Sequence, residues 1–78
     1  MKDILINRIK SICDERNITV HKLAVLSGLP EATVRYLMNG EVKAPRIDTL
    51  YKIATGLNMT LSEFFDFPEI NETIFDDE

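Results

Sequence analysis

The stretch "HKLAVLSGLPEATVRYLMNG", from His21 to Gly40, decides the fold of this 78-residue chain. Two short runs with apolar residues at helical spacing lie on either side of Gly28, and only a few residues separate them. Ala24 is small enough for a second helix to cross closely, and Gly28 can adopt the positive φ angle of a tight turn. The stretch therefore predicts two short helices that cross rigidly.

The rest of the chain also repeats its apolar residues at helical intervals. Thr19 suits the N-cap of the second helix, Pro30 fits the first turn of the third, and Thr60 or Ser62 can cap the last. We find no convincing strand and predict an all-α fold of five short helices. The expected inward positions are Leu5, Ile9, Ile12, Leu23, Ala24, Leu26, Val34, Leu37, Met38, Ile47, Leu50, Ile53, Ala54, Leu57, Leu61, Phe64 and Phe65.

Two short helices joined by a glycine-containing turn form a helix-turn-helix. A rigid crossing leaves the second helix protruding, where it can enter the major groove of DNA. The sequence thus favours nucleic-acid binding before any family is considered.

Charge is distributed unevenly along the chain. Residues 1–65 contain all nine Lys and Arg and seven of the thirteen Asp and Glu, whereas residues 66–78 contain the other six acids and no base, and the net charge is −4. The acidity of the whole chain therefore does not exclude an anionic partner for its body. We divide the chain into a helix-turn-helix domain, residues 1–67, and an acidic C-terminal extension, residues 68–78.

Composition favours a reducing cytoplasm and no catalysis. Cys13 is the single cysteine, so it has no disulfide partner within the chain. The apolar runs are too short for a membrane span, and the charged N-terminus does not resemble a signal peptide. We find no catalytic set and no metal cluster, and expect no cofactor, no small-molecule ligand and no enzyme activity.

Residues 5–65 resemble the lambda-repressor-like, Cro-type helix-turn-helix proteins, the XRE family of phages and bacteria. The resemblance lies in "TVRYLMNG" at 33–40, "PRIDTLYKIA" at 45–54 and "LNMTLSEFF" at 57–65. It implies a five-helix domain that binds double-stranded DNA, usually as a homodimer on a palindromic operator. It also implies a transcriptional regulator in the cytoplasm, on the nucleoid, and we expect a repressor.

The resemblance also assigns functional positions. Arg35 would bond guanine bidentately, Glu31 would accept from cytosine N4, and Ala32 would touch a thymine methyl. The expected base-reading residues are Pro30, Glu31, Ala32, Arg35 and Tyr36. The expected phosphate-binding residues are Thr19, Thr33, Asn39, Lys43 and Arg46. The expected dimer interface includes Leu57, Met59, Phe64 and Phe67, with an apolar stripe of Ile70, Ile74 and Phe75 packing beside it.

Some positions depart from the family pattern or allow another interpretation. Val20 replaces a common glutamine. Cys13 and Met38 lie where many relatives have an Arg–Glu ion pair, so we expect Cys13 and Met38 to be buried and in contact. Glu31 is alternatively a favourable first-turn acid, and Tyr36 a surface aromatic residue packing on its own helix.

Glu31 in the reading helix, Val20 in place of the glutamine and the acidic extension support a second functional hypothesis. The module would then bind a protein, as an antirepressor or a toxin-neutralising partner does.

Overall fold

Five helices build the domain in the computed structural model, which describes residues 2–42 and 44–68. They are α1 (Lys2–Arg16), α2 (Val20–Ser27), α3 (Glu31–Met38), α4 (Ile47–Gly56) and α5 (Leu61–Phe64). The described part of the chain contains no strand. The predicted all-α, five-helix fold is confirmed.

Local chemistry sets the helix ends. The Thr19 hydroxyl accepts a hydrogen bond from the backbone N–H of Lys22 at 3.1 Å and so caps α2. Gly28 ends α2 with a φ angle of 68°, a left-handed conformation that costs glycine little. Thr60 and Glu63 form a reciprocal capping box on α5. Pro30 is the N-cap of α3, one residue earlier than predicted.

One core joins all five helices. Its completely buried large side chains are Phe64, Ile9, Leu23, Ile53, Leu57 and Val34. Helix α2 packs against α3 and α4, and α5 packs against α4. A Cβ atom on Gly56 would lie 2.8 Å from the backbone carbonyl carbon of Leu26, so glycine lets α2 and α4 approach this closely.

Two residues expected to face inward are exposed instead. Leu26 is 41% exposed and Ile47 is 61% exposed. Helix α2 turns Leu23, Ala24 and Ser27 to the core, which leaves Leu26 at the edge of the buried face. Ile47 is the first residue of α4, where no neighbouring helix covers it.

Two arginines of α1 hold the C-terminal ends of later helices. Arg8 donates from Nε to the carbonyl of Phe64 and from Nη2 to that of Glu63, both at 3.0 Å. Arg16 donates from Nη1 to the carbonyl of Leu57. Cations at these carbonyls complement the helix dipole and satisfy acceptors that lack a partner within their helix. The two contacts fix α1 across α4 and α5.

The pair Cys13 and Met38 is buried only in part. Cys13 is buried, and burial is the main cause that raises the pKa of its thiol. Met38 is half-buried against the core and lines, with Cys13, a groove of about 340 Å³. The expectation of full burial is right for Cys13 and too strong for Met38, which lies at the end of α3.

Candidate nucleic-acid interface

Helix α3 presents one face to the core and the other to solvent. Val34 and Leu37 are buried, at 0% and 2% exposure, whereas Tyr36 is 56% exposed. Of the predicted base-reading residues, Glu31 is half-buried. The other four are exposed, namely Pro30, Ala32, Arg35 and Tyr36. The buried face fixes the helix on the core, so its exposed side chains project from a rigid support.

The Glu31 carboxylate links the two helices of the helix-turn-helix. Its Oε1 lies 2.8 Å from Nδ1 of His21 on α2, and its Oε2 accepts from Nε of Arg35 at 2.8 Å. A second donation reaches Oε2 from Nη2 of Arg35. These hydrogen bonds, first from His21 and then from Arg35, lower the pKa of Glu31. Both carboxylate oxygens therefore already have partners, and the cytosine contact predicted for Glu31 would have to use a remaining lone pair.

Arg46, at the N-cap of α4, also pairs with a carboxylate. It donates from Nε to Oδ1 of Asp48 at 3.2 Å and from Nη2 to Oδ2 at 3.3 Å. The hydrogen bond from Arg46 is the main cause that lowers the pKa of Asp48. Since both side chains are mostly exposed, at 79% and 60%, a phosphate oxygen can replace the carboxylate without uncovering a buried charge.

Three of the other predicted phosphate-binding residues lie at or near the ends of α2 and α3. The Thr19 hydroxyl is engaged in capping α2, Thr33 is half-buried in the first turn of α3, and Asn39 is an exposed C-cap of α3. Lys43 lies outside the described residues. Two helix N-termini, those of α2 and α3, thus accompany the charged side chains, and such N-termini favour anions.

Three of the four predicted dimer residues belong to the core of a single chain. Leu57 and Phe64 are 1% and 0% exposed, and Phe67 is 7% exposed with its ring under the guanidinium of Arg8. Their side chains therefore lie in the core of the single chain, and their part in a dimer interface stays a prediction. Met59 is half-buried and lines a groove of about 380 Å³ with Tyr51 and Thr55.

The expected apolar stripe of Ile70, Ile74 and Phe75 lies outside the described residues. Among the described residues, no group of acidic, histidine and cysteine side chains could hold a metal ion. No described helix is long and apolar enough to cross a membrane.

Sequence reasoning missed His21 and Asp48 as parts of this surface. The Glu31–Arg35 pair was detectable, because residues four apart lie on the same helix face. The contact with His21 was not, because it joins two helices and depends on how the turn directs them.

Comparisons with known proteins agree with this geometry. The family model of the Cro/C1-type helix-turn-helix DNA-binding domain matches residues 8–69. The crystal structure of the prophage Lp1 protein 11 superposes with a TM-score of 0.79 at 31% sequence identity, covering 91% of this chain and 93% of that chain. No curated protein matches. The family match includes the capped turn at Gly28, all of α3 and the arginine at the start of α4.

Proposed function

The chain belongs to the family of Cro/C1-type helix-turn-helix DNA-binding domains, and from that premise we propose that it is a sequence-specific transcriptional repressor. It binds a palindromic operator as a homodimer, in the cytoplasm and on the nucleoid, without catalysing a reaction. The observation that carries the proposal is α3 itself, because its inner face is buried while Arg35 and Tyr36 project from its outer face.

Base readout falls to the exposed side chains of α3. Arg35 offers the planar fork of donors that matches O6 and N7 of guanine. Ala32 is small and apolar and suits a thymine methyl group, while Pro30 and Tyr36 flank these two along the groove. A carboxylate bound to Arg35 in the free protein directs the guanidinium before DNA arrives.

Phosphate contacts surround this helix. Arg46 exchanges Asp48 for a phosphate oxygen, and Lys43 acts beside it, a role that rests on its sequence position alone. Asn39 and Thr33 donate from the two ends of α3, and the N-terminus of α2 at Thr19 meets a phosphate through its backbone N–H groups. These contacts fix the register of α3 on the duplex.

A two-fold dimer matches the symmetry of a palindromic operator, since each copy then reads one half-site. The surface we propose for it is the groove at Tyr51, Thr55 and Met59. Leu57 and Phe64 support that surface from the core beneath it.

One observation favours a different function, binding of a protein partner. Arg35 and Arg46 are both paired with carboxylates of the same chain, which reduces the positive charge presented to phosphates. A partner such as a toxin, or a repressor that this chain removes from DNA, would meet α3 through polar contacts instead.

A salt-dependent shift assay on genomic fragments separates the two functions. If the chain is a repressor, we expect discrete shifted complexes for which the logarithm of affinity falls linearly with the logarithm of salt concentration. Failure to shift any fragment at low salt would reject DNA binding and leave the protein partner as the function.

A further inference from the structure

Glu31 is placed to control how Arg35 meets DNA. We propose that Glu31 is a specificity-determining positioning residue that reads no base, and that His21 holds it in place from the neighbouring helix. The inference rests on the proposed function, since it concerns how the same surface distinguishes an operator from other DNA.

The pairing with Glu31 leaves available the end of the Arg35 guanidinium that can bind a guanine. A guanidinium has five N–H donors, and Glu31 takes one from Nε and one from Nη2. The two N–H groups of Nη1 and one of Nη2 remain, and one N–H of each nitrogen points outward from the end of the guanidinium. Two of these can reach O6 and N7 of a guanine while Glu31 stays bound. The guanidinium of Arg35 is thus oriented for a guanine before the protein binds DNA.

The same pairing opposes binding to the wrong DNA. An unpaired arginine on this face would bind any phosphate, because nonspecific affinity comes almost wholly from charge. With Glu31 bound, a phosphate must displace or tolerate a carboxylate, whereas a guanine in register need not. Glu31 therefore weakens nonspecific binding more than it weakens specific binding.

His21 gives the carboxylate its fixed orientation. Each oxygen of Glu31 has its own partner, His21 at Oε1 and Arg35 at Oε2. The side chain of His21 is 71% exposed and that of Glu31 is 37% exposed, so the contact contributes little to the core. Its consequence is that the acid of α3 is anchored on α2 and cannot rotate freely towards the groove.

The test uses the full chain with Glu31→Gln, and Glu15→Gln as the matched control. Glu15 is an exposed acid of α1, so the control has the same change in net charge. Dissociation constants are measured for a site selected from random DNA and for a scrambled duplex, over a range of salt. Thermal melting verifies that every variant is folded.

We expect Glu31→Gln to bind scrambled DNA about tenfold more tightly, the effect of one charge-assisted hydrogen bond from the released Arg35. Its salt slope on that DNA steepens by about one. Binding to the selected site does not improve to the same extent, so the specificity ratio falls. Glu15→Gln leaves the ratio unchanged. His21→Ala lowers the ratio in the presence of Glu31 but not in the Glu31→Gln background.

A double-mutant cycle excludes a direct base contact. Glu31→Gln should relax the preference at the base pair read by Arg35, and should have no further effect on it once Arg35→Ala is present. An altered preference that persists in the Arg35→Ala background would show that Glu31 reads a base and would overturn the inference. An unchanged specificity ratio in Glu31→Gln overturns it as well. Wild-type protein that selects no site would instead refute the proposed function, and the inference with it.

Discussion

At the scale of single residues, the surface depends on cations that are already paired. Arg35 and Arg46 each donate to a carboxylate two to four positions away along the chain. Exposed pairs of this kind contribute little to stability, so Arg46 can exchange Asp48 for a phosphate, whereas Arg35 keeps Glu31 as its partner. Their value lies in orientation, because a guanidinium fixed by one partner loses less conformational entropy on meeting the next.

Arg35 gives the most direct prediction at this scale. Arg35→Ala should reduce specific binding by about 1–3 kcal/mol and relax the preference at one base pair in each half-site. The measurement is a set of dissociation constants on duplexes that differ at single base pairs. Equal weakening on the selected site and on scrambled DNA would instead place Arg35 on a phosphate.

Lys43 and Arg46 should affect all DNA sequences alike. Neutralising either one, as Lys43→Gln or Arg46→Gln, should lower the slope of log affinity against log salt by about one and spare the base preference. Lys52→Gln, a change at an exposed position of α4, is the matched control and should leave the slope unaltered if α4 meets DNA only at its N-terminus. A slope equal to wild type in both test variants would remove this segment from the interface.

The lowered pKa of Glu31 predicts how stability depends on acid. Because His21 and Arg35 stabilise the ionised carboxylate in the folded state, the unfolded state binds the proton more readily. The stabilisation is present above the unfolded pKa and is lost as pH falls through the lower pKa of the folded state. Glu31→Gln should therefore flatten the decline in Tm as pH falls below the ordinary pKa of a glutamate, about 4.3. A decline as steep as in wild type would mean that the pair contributes nothing in solution.

At the scale of secondary-structure elements, capping chemistry predicted the ends and apolar spacing predicted the faces. Thr19 and Thr60 cap the helices that they were expected to begin, since a side-chain oxygen before an apolar run has few other roles. Leu26 and Ile47 were expected inside and are exposed. Spacing gives the direction of a face but not its width, which depends on how closely the next helix approaches.

The close approach of α2 to α4 at Gly56 gives the prediction for this scale. It admits the backbone of α2 so closely that a Cβ atom would lie 2.8 Å from Leu26 and 2.9 Å from the backbone nitrogen of Ser27. Gly56→Ala should lower stability by about 1–3 kcal/mol, although alanine favours helix. Lys52→Ala, at an exposed position of α4 outside the proposed dimer surface, is the control. Chemical denaturation measures both, and a Gly56→Ala protein as stable as wild type would mean that the two helices separate without cost.

At the scale of the whole molecule, the fold was predictable and much of the site was not. Residue types at the right intervals were enough for five helices and for an exposed α3, because burial follows periodicity. The hydrogen bonds of Glu31 on the surface could not be predicted, because His21 and Glu31 meet only after the turn at Gly28 has oriented α2 and α3. The dimer interface stays a prediction for a similar reason. Phe64 and Leu57 are apolar enough for either a core or an interface, and the monomer core uses them.

The central claim is that α3 reads a specific DNA sequence in a two-fold complex. It is tested most directly by selecting bound duplexes from a random DNA pool with the full chain, and sequencing them. We expect one enriched sequence with two inverted half-sites, their centres about 10 base pairs apart or a multiple of that. A pool that remains random after repeated selection, at a salt concentration where the protein still retains DNA, would contradict it.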